Sequence, residues 1–177
     1  MSGGKDVYGK AKEELRLSEK IEDKVPGFKG YKEKELRRES DRLVRDTIVQ
    51  RLNKARGDVK EVFQALSEQK LTEAMTKMDR LVMGFDRVVE KVNHASYGYA
   101  GFFNVVKIKE ENLSRMIAFD NGLIGYADAV SEQTRAFKKE VSEGKFENSL
   151  EQIKKISESL SSLEDAFDTR KEAILEG

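Results

Sequence analysis

The chain has no cysteine, one histidine and one proline, and its 33 Lys+Arg residues equal its 33 Asp+Glu residues. Each scarcity excludes something. Without cysteine there is no disulfide, no thiol nucleophile and no thiolate metal site, which suits a reducing compartment. The one histidine, His94, cannot furnish the Glu-x-x-His pairs that di-iron and di-manganese bundles carry on two helices. Nothing places a serine beside it for a Ser–His–Asp site. A charge balance of zero gives no global attraction to nucleic acid or anionic lipid. No apolar run resembles a signal peptide or approaches membrane-crossing length. The expectation is a cytoplasmic protein that neither binds nucleic acid nor spans a membrane.

What the chain has instead is charge, 37% of its residues, laid over a heptad rhythm. At 177 residues it suits one domain with a real core. The stretch from Tyr31 to Gln69 reads as one very long helix. Its apolar positions Ile48, Leu52, Ala55, Val59, Val62 and Leu66 step by four and three, the spacing of a helix packed along a seam. The first half is mostly charged, anchored by Leu36, Leu43 and Val44. Glu33–Arg37 and Asp41–Arg45 are i,i+4 pairs of the kind that support a solvated helix. A second helix follows from Thr72, a plausible N-cap, to about Ser96, with Met75, Met78, Val82, Phe85, Val89 and Val92 in phase. A third runs from Lys109–Glu110 to about Glu143 and is ended by Gly144 in the position after the cap. Its seam holds Leu113, Ile117, Asp120, Ile124, Ala127, Val130, Thr134, Phe137 and Val141, with a kink expected at Asp120–Asn121–Gly122. The fourth, Phe146 to about Leu175, repeats the rhythm through Leu150, Ile153, Ile156, Leu160, Leu163, Phe167, Arg170 and Ile174.

Short connections make neighbouring helices antiparallel. The fold class is therefore all-α: an up-down-up-down four-helix bundle with coiled-coil-like heptads, an overhanging first long helix and an extra N-terminal helix. Residues 1–24 form that N-terminal helix or arm, with Val7, Ala11, Leu15, Ser18 and Ile21 as a thin stripe. Val25–Pro26–Gly27–Phe28–Lys29–Gly30 is the clearest break. Residues 25–177 form the bundle domain.

Three features carry functional readings. The first is the connector Tyr97–Ile108, too apolar for an ordinary solvated loop. Tyr97, Tyr99, Phe102 and Phe103, with Phe28 and Tyr31 from the same end, either cap the bundle or form a partner-binding tip. Glu110 and Glu111 after Lys107 and Lys109 argue against a lipid-binding tip. Gly98 and Gly101 follow no strand and make no phosphate loop. The second is a charge split. Lys29–Arg56 carries ten basic and five acidic residues, and Glu140–Gly177 the reverse. Complementary faces on adjacent first and fourth helices explain this better than an exposed basic stripe of Lys34, Arg38, Arg42 and Arg45.

The third feature is a pair of charges on the seams. Counting back from the turn at Gly144 sets Asp120 opposite about residue 169, next to Arg170. The same counting sets Asp86 near Asp120 and Ala55 at their level. A buried polar layer of Asp86, Asp120 and Arg170 is expected, because an unpaired charge there would be costly.

The segments VPGFKGYKEKELRRESDRLVR (Val25–Arg45) and SYGYAGFFN (Ser96–Asn104) resemble a group of uncharacterised prokaryotic helical proteins, archaeal ones among them. The resemblance covers about a sixth of the chain and implies no activity. It implies only that the Pro-Gly break and the aromatic connector are not incidental. The expected function is that of a non-enzymatic adaptor or scaffold, without cofactor or metal. It would hold a protein partner, or a second copy, through the aromatic-connector end. The alternative is a carboxylate-based metal binder or enzyme in which Asp86 and Asp120 share a cation or proton.

Overall fold

The computed structural model describes residues 3–30, 34–95 and 110–175. Among the described residues there are five helices and no strand: α1 (Gly3–Lys24), α2 (Lys34–Glu68), α3 (Thr72–His94), α4 (Glu110–Ser142) and α5 (Ser149–Leu175). The chain is all-α, as the heptads demand. On α2, Ile48, Leu52, Ala55, Val59, Val62 and Leu66 are each 1% exposed or less. Burying each Val, Leu or Ile of this set contributes about 1.5–3 kcal/mol, far more than helix propensity does. Met78, Phe85 and Val92 continue the core on α3, Ile124, Ala127, Val130 and Phe137 on α4, and Ile156, Leu163 and Phe167 on α5. α4 passes through Asp120–Gly122 without interruption. Two expected seam residues are on the outside: Leu150 is 39% exposed and Leu15 of α1 63%.

The short turns have explicit hydrogen-bond patterns. After α4, Gly144 has φ +75°, its N–H donates to Val141 O, and the N–H of Lys145 donates to Glu140 O. This is the Schellman arrangement, and its left-handed residue favours glycine. The same pattern ends α2, where Lys70 N–H donates to Ser67 O and Leu71 N–H to Leu66 O. There the left-handed position, φ 57°, falls on Lys70. The N-cap of α3 is Leu71, with no side-chain cap, so Thr72 is the first helical residue and not the cap.

Around the bundle, α2 touches α3 and α4, and α5 touches α3 and α4. α2 and α5 therefore lie across a diagonal, as do α3 and α4. Cross-contacts fix the directions. Arg51 of α2 meets Asp128 of α4, and further along Asp58 meets Lys138, so α2 and α4 run parallel. Arg87 and Lys91 of α3 meet Glu164 and Asp168 of α5, so these two also run parallel. The expected adjacency of the first and fourth long helices is thus incorrect. Among the described residues, the acidic surface of α5 is met by bases of α3. The overhang also needs correction. From the level at which Asp41, Asp120 and Arg170 meet, α2 runs on to Lys34, α4 to Glu110 and α5 to Leu175, so α2 is accompanied by two other helices.

α1 packs along α4. Lys24 Nζ pairs with Asp128 at 2.7 Å, and Arg51 Nη2 donates to the Lys24 carbonyl at 3.2 Å. Ile21, Val25 and Phe28 join the same hydrophobic cluster as the long helices. The C-terminal part of α1 is consequently continuous with the core and not a separate arm. Ser40 Oγ donates to Gly30 O, tying the break at 25–30 to α2.

Candidate functional site

Asp120 and Arg170 meet as the seam positions require. Arg170 Nε donates to Asp120 Oδ1 at 2.7 Å and Nη2 to Oδ2 at 3.0 Å, a bidentate pair with both residues 0% exposed. The layer is otherwise different from the one expected. Its third and fourth members are Asp41 and Arg45 of α2. Arg170 Nη1 donates to Asp41 Oδ1 at 2.6 Å, and Arg45 Nε donates to Asp41 Oδ2 at 3.0 Å. Two carboxylates and two guanidiniums balance in charge inside the core. Charge-assisted, partly bidentate bonds offset the large desolvation of four ions.

Asp86 is not in this layer. Its side chain is 48% exposed and pairs with Arg56 Nη2 at 2.6 Å. Counting residues across the 96–109 connector fails because α3 and α4 are not neighbours. For the same reason the α2 residue at the layer is Asp41, not Ala55. Asp86 and Asp120 are thus apart, each on its own arginine, and cannot share a cation or a proton in this arrangement. Among the described residues, no group of three or more His, Asp or Glu side chains comes together as a metal site would need. His94 is 69% exposed, with Nδ1 2.8 Å from the Glu90 carbonyl oxygen and 3.2 Å from its carboxylate.

Asp41 and Arg45 were readable as a solvated i,i+4 pair, and Arg45 as part of a basic stripe. A signal for their burial was present. Stepping back seven residues from Ile48 and Leu52 lands on Asp41 and Arg45, so both columns of the α2 seam end in this ion pair. Of the other stripe residues, Arg42 is 72% exposed beside Asp46. The side chains of Lys34 and Arg38 lie outside the described ones.

Of the expected partner-binding aromatics, Phe28 is 5% exposed and belongs to the core, so it offers no surface here. Tyr31, Tyr97, Tyr99, Phe102 and Phe103 lie outside the described residues. The described part of this end carries a different surface feature, an open groove of about 810 Å³ between α4 and α5. Ala118, Phe119, Gly122 and Tyr126 form one wall, and Asp165 and Ala166 belong to the other. Tyr126 is 42% exposed. Phe119 and Ala166 pack partly against the core, so the groove floor is continuous with it. Asp128, which meets α1, stands two positions from Tyr126 and so faces another side of α4. α4 therefore carries α1 on one flank and the groove on the other. The groove and the ion network share one stretch of α4 and α5: Phe119 precedes Asp120, and Thr169 precedes Arg170.

The bridges on the α3–α5 side are solvent-facing. Glu164 receives Arg87 through Nε and Nη2 and also pairs with Lys91 at 3.0 Å. The hydrogen bond from Arg87 is the main force holding the Glu164 carboxyl down to about 2; burial opposes it, and Lys91 adds to the lowering. The same bond to Glu164 raises Arg87 above its ordinary value, and Lys91 is raised chiefly by its hydrogen bond to Asp168, with Glu164 adding to the effect.

Comparisons of the chain with protein-family models, curated proteins and solved structures return no match. Among the described residues, no helix is long and apolar enough to cross a membrane.

Proposed function

We propose that the chain is a non-enzymatic adaptor or scaffold that acts in the cytoplasm. It takes a protein partner at the end of the bundle where α3 finishes and α4 begins. The observation that carries this reading is the α4–α5 groove. It is open and largely apolar, walled by Phe119 and Tyr126, with small residues at Ala118, Gly122 and Ala166. From Arg115 to Tyr126 the α4 wall spans about three helical turns. That suits a short amphipathic helix laid in a groove, a recurrent mode of peptide recognition. α1 gives the pattern within the chain itself, packing along another flank of α4 with Ile21 buried. The aromatic residues Tyr97, Tyr99, Phe102 and Phe103, which lead into α4 in sequence, extend the proposed contact.

The test is affinity capture from the source organism, followed by reconstitution of the captured partner with the purified chain. Tyr126→Glu with Ala166→Glu should abolish that binary association with helical content unchanged, and Tyr99→Ser with Phe102→Ser should weaken it. Binding that survives both variants removes the groove from the account. A stoichiometric metal in the purified protein, found by elemental analysis, would contradict the metal-free adaptor reading.

A further inference from the structure

We propose that the buried Asp41–Arg170 bond is a register lock: it sets how far the α2–α3 hairpin lies along the α4–α5 hairpin. Within each hairpin the register is already fixed, because the turns at 69–71 and 143–148 are short. Between the hairpins the only covalent link is the longer stretch 96–109. Seams that repeat every seven residues offer a near-equivalent packing one heptad away. With 35 residues in α2 and 33 in α4, much apolar overlap would survive such a slide. Taking Asp41 and Arg170 as one level, Ile48 stands at the level of Leu163. A one-heptad slide would set Arg170 against Ile48 or beyond the end of the seam, and leave Asp41 without its partner.

Among the described residues, the other ionic links between the hairpins include Lys138 with Asp58 and Glu61, Arg51 with Asp128, and Arg87 and Lys91 with Glu164 and Asp168. They are more open to water, with Arg87 62%, Lys138 36% and Arg51 23% exposed, and such partly solvated pairs discriminate less than a buried one. The Asp41–Arg170 contact, at 4% and 1% exposure, discriminates more strongly because the wrong register breaks a buried charge-assisted bond and sets each remaining ion pair against hydrocarbon. Asp120 holds Arg170 in place from within its own hairpin, and Arg45 does the same for Asp41. The lock therefore has one rigid half on each hairpin.

The absence of native cysteine makes the test clean. Spin labels on Glu73→Cys of α3 and Asp165→Cys of α5 report the distance between the hairpins along the bundle axis. The otherwise native chain should give one distance. With Asp41, Arg45, Asp120 and Arg170 all replaced by Leu, the chain should stay helical but show a second population displaced by about 10 Å, the length of one heptad. Moving the acid by one heptad, Asp41→Leu with Ile48→Asp, should shift the single population by about the same amount. The native single distance in both variants would overturn the proposal. So would an all-Leu variant that no longer folds, since the network would then be needed for stability and not for register. If the transplanted variant alone loses its helical circular dichroism, the all-Leu variant decides.

Discussion

Arg170 of α5 and Asp41 of α2 stand on helices that share no wall of the bundle, yet Nη1 of one donates to Oδ1 of the other at 2.6 Å. The bond crosses the centre of the core. It can do so because Asp120 takes the other edge of the same guanidinium, so no donor face of Arg170 is turned toward hydrocarbon alone.

Removing one carboxylate from this network should be severe. Asp120→Ala removes the bidentate partner of Arg170 in a site 0% exposed to water. The expected loss is about 3–5 kcal/mol, the scale for stranding one buried ionic partner. Urea denaturation checks it. A loss under about 1 kcal/mol would place the pair among solvated, marginal bridges.

The left-handed residue after α2 should improve with glycine. Lys70 adopts φ 57°, a conformation that disfavours a Cβ. Lys70→Gly should stabilise by about 0.5–1 kcal/mol, the left-handed penalty less the extra freedom glycine has when unfolded. Gly144, at φ +75°, is the mirror experiment, and Gly144→Ala should cost about 1 kcal/mol. Thermal melts of the two variants should move in opposite directions.

The Glu164 bridge makes a pH-dependent contribution. Its carboxyl titrates at about 2 in the folded chain, below the ordinary 4.5. A depressed carboxylate stabilises fully above the ordinary value, and that stabilisation is lost as pH falls toward 2. Because Arg87 is largely exposed, the contribution at neutral pH is about 1 kcal/mol. Glu164→Gln should therefore be less stable than the parent at pH 7 and equal to it near pH 2. A difference that persists undiminished at pH 2 would assign the loss to packing.

Gly122 lies in a continuous helix with nothing within 4 Å of the position a Cβ would take. Gly122→Ala should raise stability by about 1 kcal/mol, the helix-propensity difference. It should also weaken association at the groove, where the added methyl stands in a partner's way. Denaturation and binding measured on the same variant separate the two effects, and unchanged binding would leave the groove without its partner.

The elements and most of the core were legible because heptads encode them directly: the α2 seam from Ile48 to Leu66 is buried at every expected position. Asp120 and Arg170 were legible for the same reason, as charges on apolar columns joined by a short turn. Asp41 and Arg45 were missed because an i,i+4 pair in a charged stretch resembles a solvated one until the columns are extended back. Asp86 was misplaced because periodicity says which face is buried but not which helices are neighbours. That depends on the path of the 96–109 connector, and a long connector permits a diagonal crossing where a short turn does not. The groove had no linear signature, since its walls join Phe119 and Tyr126 to Ala166 across two helices.

The most direct test of a core joined across its diagonal is a double-mutant cycle on Asp41 and Arg170. The single variants Asp41→Leu and Arg170→Leu and the double variant would be measured by denaturation. A direct buried bond predicts a coupling of about 2 kcal/mol or more, with the double variant far less damaged than the two single losses added together. A coupling under about 0.5 kcal/mol, the two losses simply adding, would show that these residues do not meet and that the hairpins are arranged otherwise.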